Sequence, residues 1–98
     1  MHRSLILIAK IPRGKVTTYG ELARITKSSP RAIGQVMRRN PRPDLYPCYK
    51  VISSTGRIGG YAGCVKGRMI NKKIKLLKKD GIEIKNGKID LKKYLHRF

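Results

Sequence analysis

Acidic residues are scarce in this sequence: 5 Asp and Glu stand against 24 Lys and Arg, a formal net charge of +19 on 98 residues. Self-repulsion at that level opposes compaction, so the composition points to a polyanionic partner, and nucleic acid is the commonest one. A lysine-rich surface reflecting genome bias or growth at high temperature is the bland alternative. Long apolar runs are also absent. No segment nears the ~20 residues that span a bilayer, and none has the broad apolar face of an interfacial anchor, so no membrane partner is expected. The start, "MHRSLILIAKIPRG", breaks its apolar run at Lys10 with no small-residue cleavage site after it; it reads as a helix of the domain and not as a leader. A cytoplasmic location is expected. Cysteine and histidine are few. Cys48, Cys64, His2 and His96 include no C-x-x-C pair, which excludes a zinc site on ligand count. In a reducing cytosol both cysteines stay thiols. The length suits one domain, residues 1–98, with one modest core, and no internal repeat or low-complexity tract interrupts it.

The elements follow from periodicity and caps. Leu5, Ile8 and Ala9 share one helical face, predicting a short helix over 3–10 that "IPRG" ends. In "VTTYGELARIT", Thr18 and Glu21 have the spacing of a capping box, with a helix over 19–26. Ser29 can cap a second helix with Pro30 in its first turn, where the missing N–H is harmless. Ile33, Val36 and Met37 would face the core, and Arg31, Arg38 and Arg39 other faces. Two short helices joined by a tight turn resemble a helix-turn-helix. "RRNPRPDLYPCYKV" reads as a stiff extended loop, because Pro41, Pro43 and Pro47 fix φ repeatedly. "VISSTGRIGGYAG" reads as a strand, a turn and a glycine-rich loop, and "MINKKIKLLKKDG" as a helix with Ile70, Ile74 and Leu77 on one face and Gly81 as its stop. The Asn-Gly of "IEIKNGKIDL" predicts a tight hairpin.

Cys48, behind Pro47 and before Tyr49 and Lys50, is the residue with the most chemistry to explain. A lone cysteine is usually a small buried apolar group. A loop cysteine near positive charge is instead poised as a thiolate. Cys64 lacks such a setting and takes the plain buried reading.

"IPRGKVTTYGELA", "SPRAIGQVMRRNP", "PCYKVI" and "GRIGGYAG", in this order and spacing, resemble the DNA-binding domain of the O6-alkylguanine-DNA alkyltransferases, over roughly residues 3–81. The resemblance implies a mostly α domain with short strands, winged helix-turn-helix-like, that repairs DNA by moving an alkyl group from guanine O6 to its own cysteine. It implies Cys48 as the nucleophile, consumed in a single turnover, with no cofactor. It implies entry of the helix-turn-helix into the minor groove of double-stranded DNA, a flipped guanine, Arg31 filling the vacated space, and Tyr19 rotating the 3′ phosphate and hydrogen-bonding the base. Reaching a base inside the stack requires such flipping. Minor-groove entry suits a protein that acts in any sequence. Asn40 matches the residue bracing the turn before the active-site loop. Val51 and Tyr61 match the lining of the alkyl-guanine pocket, closed by the backbone of Tyr61, Ala62 and Gly63.

The family's "PCHR" motif uses a histidine that takes the cysteine proton through a water and is held by a glutamate of the last helix. Here Tyr49 stands for the histidine, Lys50 stands for the arginine and is expected among the DNA-binding residues with Tyr19 and Arg31, and Asp80 aligns with the glutamate. A tyrosine with its usual pKa near ~10 is a poor base at neutral pH, so the relay is altered. Lys50, Arg31 and the field of the whole domain all favour the thiolate, and transfer is expected at reduced rate or with narrower range. The tail, "DGIEIKNGKIDLKKYLHRF", and the lack of an extra N-terminal domain resemble a sister group, the alkyltransferase-like proteins, which bind alkylated guanine without removing the alkyl group and flag it for excision repair. Those proteins characteristically carry tryptophan or alanine where Cys48 stands. A transcriptional regulator built on the helix-turn-helix leaves the cysteine without purpose. A monomer is expected, with room on the basic tail for an excision-repair partner.

Overall fold

The computed structural model describes residues 2–59 and 67–98. Helix α1 spans Arg3–Ile8 and buries Leu5 and Ile8. It ends a residue short of the expected face: Ala9 is the C-cap and is exposed. The chain then runs through Ile11, buried, into strand β1, Thr17–Thr18. Thr18 is extended, and its Oγ1 accepts the Glu21 N–H at 3.0 Å, starting α2 at Tyr19–Thr26. Glu21 turns its carboxylate to Arg24, whose Nε donates to it at 2.7 Å. Lys27 closes α2 in the left-handed region, φ +56°, and Ser28 N–H reaches back to Ala23 O at 2.8 Å. Ser29 Oγ caps α3, Pro30–Arg38, by accepting from Ala32 N–H at 3.1 Å. Ile33 and Met37 are buried, while Arg31, Arg38 and Arg39 are exposed, as their spacing requires. α2 and α3 pack on each other across this three-residue turn, giving the expected helix-turn-helix pair.

The proline-rich segment departs from its expectation. It curls instead of extending: Tyr46 N–H donates to Arg42 O at 2.8 Å, and Cys48–Lys50 forms one turn of 3-10 helix. Pro47, at φ −74° and ψ 73°, sits in an inverse γ-turn closed by Cys48 N–H to Tyr46 O at 2.7 Å. Proline is tolerated there because its missing N–H falls before the turn, where no intrahelical partner exists. Strand β2, Val51–Ile52, leaves the turn and pairs in parallel with β1 (Thr17 with Val51, Thr18 with Ile52). The crossover between these strands contains α2 and α3, the length that parallel pairing demands.

Helix α4, Arg68–Lys79, buries Leu77 and half-buries Ile70 and Ile74. It closes at Gly81, φ +85°, with Gly81 N–H on Lys78 O at 3.0 Å and Ile82 N–H on Leu77 O at 3.0 Å. This is a Schellman stop, with Ile82 packed in the same cluster as Leu77. Asn86 (φ +52°) and Gly87 (φ +73°) form the two-residue hairpin, Lys85 and Lys88 exchanging N–H···O bonds of 2.9 Å. Lys88 also bridges Arg57, laying the hairpin on the turn after β2. After α5, Leu91–Tyr94, the tail returns beside β1: Val16 N–H donates to Tyr94 O at 2.8 Å and His96 N–H to Val16 O at 2.7 Å.

Two apolar clusters result. One gathers Leu5, Ile8, Leu22, Ile33, Met37, Cys48 and Val51; the other gathers Val16, Ile52, Ile58, Leu77, Ile82, Ile89 and Tyr94. β2 serves both, because successive side chains of a strand point to opposite faces. Two glycines should differ in their tolerance of alanine. At Gly81 a Cβ meets nothing within 4 Å, so Gly81→Ala should lose only the left-handed backbone cost, about 1 kcal/mol. At Gly56, φ +90°, a Cβ would lie 2.8 Å from Ile89 O, so Gly56→Ala should lose more in urea unfolding.

Candidate functional site

Cys48 opens the 3-10 turn, 7 % exposed, in the first cluster, and the turn packs against α1 and α4. Asn40, just past α3, braces the segment that leads into this turn. Its Nδ2 donates to Tyr46 O at 2.7 Å, and its Oδ1 accepts the Arg42 N–H at 3.1 Å. Val51, fully buried, lies in the same cluster as Cys48. Tyr49 is half-buried and packs against both clusters. Tyr61, Ala62 and Gly63, and with them Cys64, lie outside the described residues.

Lys50 is not presented to solvent. It is 4 % exposed; its Nζ donates to Pro12 O at 2.9 Å and lies 2.9 Å from Asp80 Oδ2. The same carboxylate oxygen accepts the Gly14 N–H at 3.0 Å. The Asp80 expected beside Tyr49 is thus paired with Lys50 at the end of α4, and Lys50 faces inward instead of toward DNA. An exposed lysine would stay hydrated; this one is drawn in because a carboxylate and a carbonyl meet it from two remote segments.

Tyr19 begins α2, half-buried against the first cluster. Burial raises its pKa above the usual 10.0, and the electrostatic contribution of Cys48 works in the same direction. Tyr19 and Cys48 share the first cluster, and the phenol is held protonated at neutral pH. Tyr19 also borders a shallow hollow of about 350 Å³ with Pro30, Gly34, Ser53 and Ser54. Here the start of α2 meets the turn after β2: Ser54 Oγ accepts the Gly20 N–H at 3.1 Å. Arg31 stands exposed in the first turn of α3, one residue after Pro30 of that hollow.

One residue escaped the sequence reading. Lys73 of α4 is fully buried, its Nζ donating to Val51 O at 2.7 Å and Ile58 O at 2.6 Å. Burial lowers its pKa to about 8, and the electrostatic contribution of Cys48 works in the opposite direction. The signal was in the pattern: 73 is three residues past Ile70 and four before Leu77, an inward slot of the helix occupied by a cation. Among the described residues no group of three or more His, Cys, Asp or Glu could hold a metal ion.

The profile of the family "6-O-methylguanine DNA methyltransferase, DNA binding domain" matches residues 2–82. The chain belongs to this family. It is 48 % identical over 90 residues to a bifunctional methyltransferase/endonuclease of Picrophilus torridus, covering 90 % of the chain and 28 % of the relative. To a methylated-DNA--protein-cysteine methyltransferase of Methanothermobacter thermautotrophicus it is 40 % identical over 82 residues, 84 % of the chain and 44 % of the relative. The chain thus spans less than half the length of either relative. Among solved structures, S. pombe Atl1 in complex with damaged DNA containing O6-carboxymethylguanine superposes with TM-score 0.80 at 29 % identity, covering 96 % of this chain and 91 % of that one. The O6-methylguanine-DNA methyltransferase of Pyrococcus kodakaraensis gives TM-score 0.69 at 38 % identity over 82 % of this chain and 44 % of that one. The mostly helical fold with short strands is that of both neighbours.

The two buried cations should be visible in stability measurements. Asp80→Asn leaves Lys50 buried without its countercharge and should cost on the order of 3 kcal/mol in urea unfolding; the double variant with Lys50→Met should recover part of that loss. For Lys73 the sign follows from its lowered value. Below pH 8 the folded and unfolded chains both carry the charge, and the burial penalty is fully present. Above it the folded chain releases its proton first, so stability rises with pH until the ordinary lysine range is reached. Between pH 8 and 9.5 the gain should be about 2 kcal/mol, and it should be missing in Lys73→Met. Tyr19, shifted upward, opposes this only above pH 10.

Proposed function

We propose that this domain binds double-stranded DNA carrying O6-alkylguanine and transfers the alkyl group to Cys48 in one turnover. The observation that carries the reading is Cys48 itself, buried in the cluster that α2 and α3 share, with a protonated Tyr19 packed against the same cluster. In the reaction the Cys48 sulfur attacks the alkyl carbon, an S–C bond forms, and the C–O6 bond breaks. The electron pair departs with the guanine, which takes up a proton. A phenol kept in its acid form donates a hydrogen bond to that leaving base, which favours departure. A flipped nucleotide leaves a gap in the stack, and Arg31 at the exposed start of α3 is placed to fill it while α3 lies in the minor groove. Exposed Arg38 and Arg39 extend the same helix as phosphate contacts. The protein acts inside the cell as a monomer with no cofactor.

A second reading, binding without transfer, is favoured by two observations. The likeness to Atl1 runs through the tail, and Asp80 is paired with Lys50. In that reading the bound lesion is handed to an excision-repair partner.

Incubation with a duplex carrying labelled O6-methylguanine separates the two. Transfer predicts one added methyl group on Cys48 by peptide mass spectrometry and none in Cys48→Ala. Tight damage-selective binding with an unmodified Cys48 would leave only the second reading. In a parallel binding series, Arg31→Ala should lower the preference for damaged over undamaged duplex about tenfold, the weight of one good contact of ~1.4 kcal/mol. Arg38→Ala should instead weaken both alike and flatten the salt dependence. Equal losses on both duplexes for Arg31→Ala would remove it from the flipped site.

A further inference from the structure

One face of the tail hairpin is a row of cations. Ile84, Ile89 and, on the turn after β2, Ile58 pack into the second cluster. Side chains alternate along a strand, so Lys85, Lys88 and Arg57 share the other face, and all of them are exposed. Lys88 stands opposite both of the others. Across the hairpin it pairs with Lys85, each N–H donating to the other's carbonyl at 2.9 Å. Across the next ladder it pairs with Arg57, flanked by Ile58 N–H to Gly87 O at 3.3 Å and Ile89 N–H to Gly56 O at 2.8 Å. Those flanking bonds make Arg57 and Lys88 a non-hydrogen-bonded pair, the kind whose side chains lie closer together. Like charges directly opposite each other destabilise a ladder, and here two such pairs adjoin.

Building on the DNA-binding part of the reading above, we propose that Arg57, Lys88 and Lys85 are a second DNA contact, a row that holds backbone phosphates beside the helix-turn-helix. One turn joins the row to the site. Ser53 N–H donates to Arg57 O at 2.9 Å, Ser54 Oγ accepts the Gly20 N–H at the start of α2, and both serines line the hollow shared with Tyr19, Pro30 and Gly34. A duplex seated on α3 meets this turn and then the row. The hairpin lies past residue 82, where the family match ends, so it adds to the contacts of the matched domain. Glu83 pairs with Lys85 at 3.3 Å, but both side chains are exposed, and such a pair is weak enough to yield to a phosphate. Arg57 and Lys88 make no ion pair among the described residues. Asp90, which shares a hollow with Lys85, Lys88 and Lys93, turns one carboxylate oxygen to the Lys92 N–H, and Lys93 stands over the Tyr94 ring. The repulsion along the row is relieved when a polyanion lies on it.

The salt dependence of binding to an undamaged duplex counts the phosphates held. The double variant Arg57→Gln/Lys88→Gln should flatten the slope of log K against log salt by about two, one for each lost contact. It should weaken damaged and undamaged duplexes by the same factor. Without DNA, Lys88→Gln should unfold at higher urea than the parent in low salt, and the gain should fade as salt screens the repulsion. A folded double variant with the parent's slope would overturn the proposal, as would a Lys88→Gln midpoint unmoved or lowered in low salt. Poly-glutamate binding that the double variant loses while its DNA slope stays unchanged would give the row to an acidic protein segment and overturn it too. The slope needs no lesion and no reaction. A flattened slope with no methyl group on Cys48 therefore sinks only the transfer reading, and a parental slope in the double variant beside a flattened one in Arg38→Ala sinks only this one.

Discussion

The contact between Lys50 and Asp80 fixes where everything else in the site lies. One buried ammonium joins the turn carrying Cys48 to Pro12 in the loop after α1 and to the residue that caps α4. The carboxylate in turn holds Gly14. Three segments far apart in sequence are thereby pinned to one point, directly before β2 leaves the turn to pair with β1. Removing two charges from water costs several kcal/mol, and their attraction repays it only when the geometry and remaining hydrogen bonds are good. Such a pair adds little net stability over an apolar one. Its effect here is geometric: the cysteine turn is held against the helix that carries Lys73.

Electrostatics is divided between an inside and an outside. Inside, Lys50 and Lys73 are buried, one beside a carboxylate and one bonded to the carbonyls of Val51 and Ile58. Outside, the exposed cations of α3 and its cap (Arg31, Arg38, Arg39) and of α4 (Lys72, Lys78, Lys79) have almost no acidic neighbours to neutralise them. The repulsion this creates in the free protein is relieved by a polyanion, so the charge that strains the fold is the same charge that favours DNA.

How much of this was legible in the sequence depends on the range of the interactions. Caps and stops are local, and Thr18, Ser29, Gly81 and the Asn86-Gly87 pair do what their types and spacing predict. The apolar faces of α3 and α4 were equally readable. The inward lysines were not, because lysine is normally a surface residue, and its burial here depends on Asp80, Pro12, Val51 and Ile58 arriving from elsewhere in the chain. The cysteine turn was misjudged for a related reason. Prolines do forbid long helices, yet a single proline at the start of a 3-10 turn is compatible with it, and Asn40 supplies the outside bracing that favours the bend. Family motifs pointed to Cys48, Tyr19 and Arg31 but could not show that Lys50 and Asp80, aligned with separate parts of the site, would find each other.

The proposed function requires a reactive cysteine beneath a helix-turn-helix that opens the duplex by flipping one base. A crystal structure of the protein with a duplex containing O6-methylguanine, using Cys48→Ser to stop the reaction, tests that placement most directly. The predicted result is α3 in the minor groove, the Arg31 guanidinium in the stack, and the modified base extrahelical, its methyl carbon facing the substituted serine hydroxyl in line with the C–O6 bond. A modified guanine still stacked in the duplex, or α3 lying in the major groove, would contradict it.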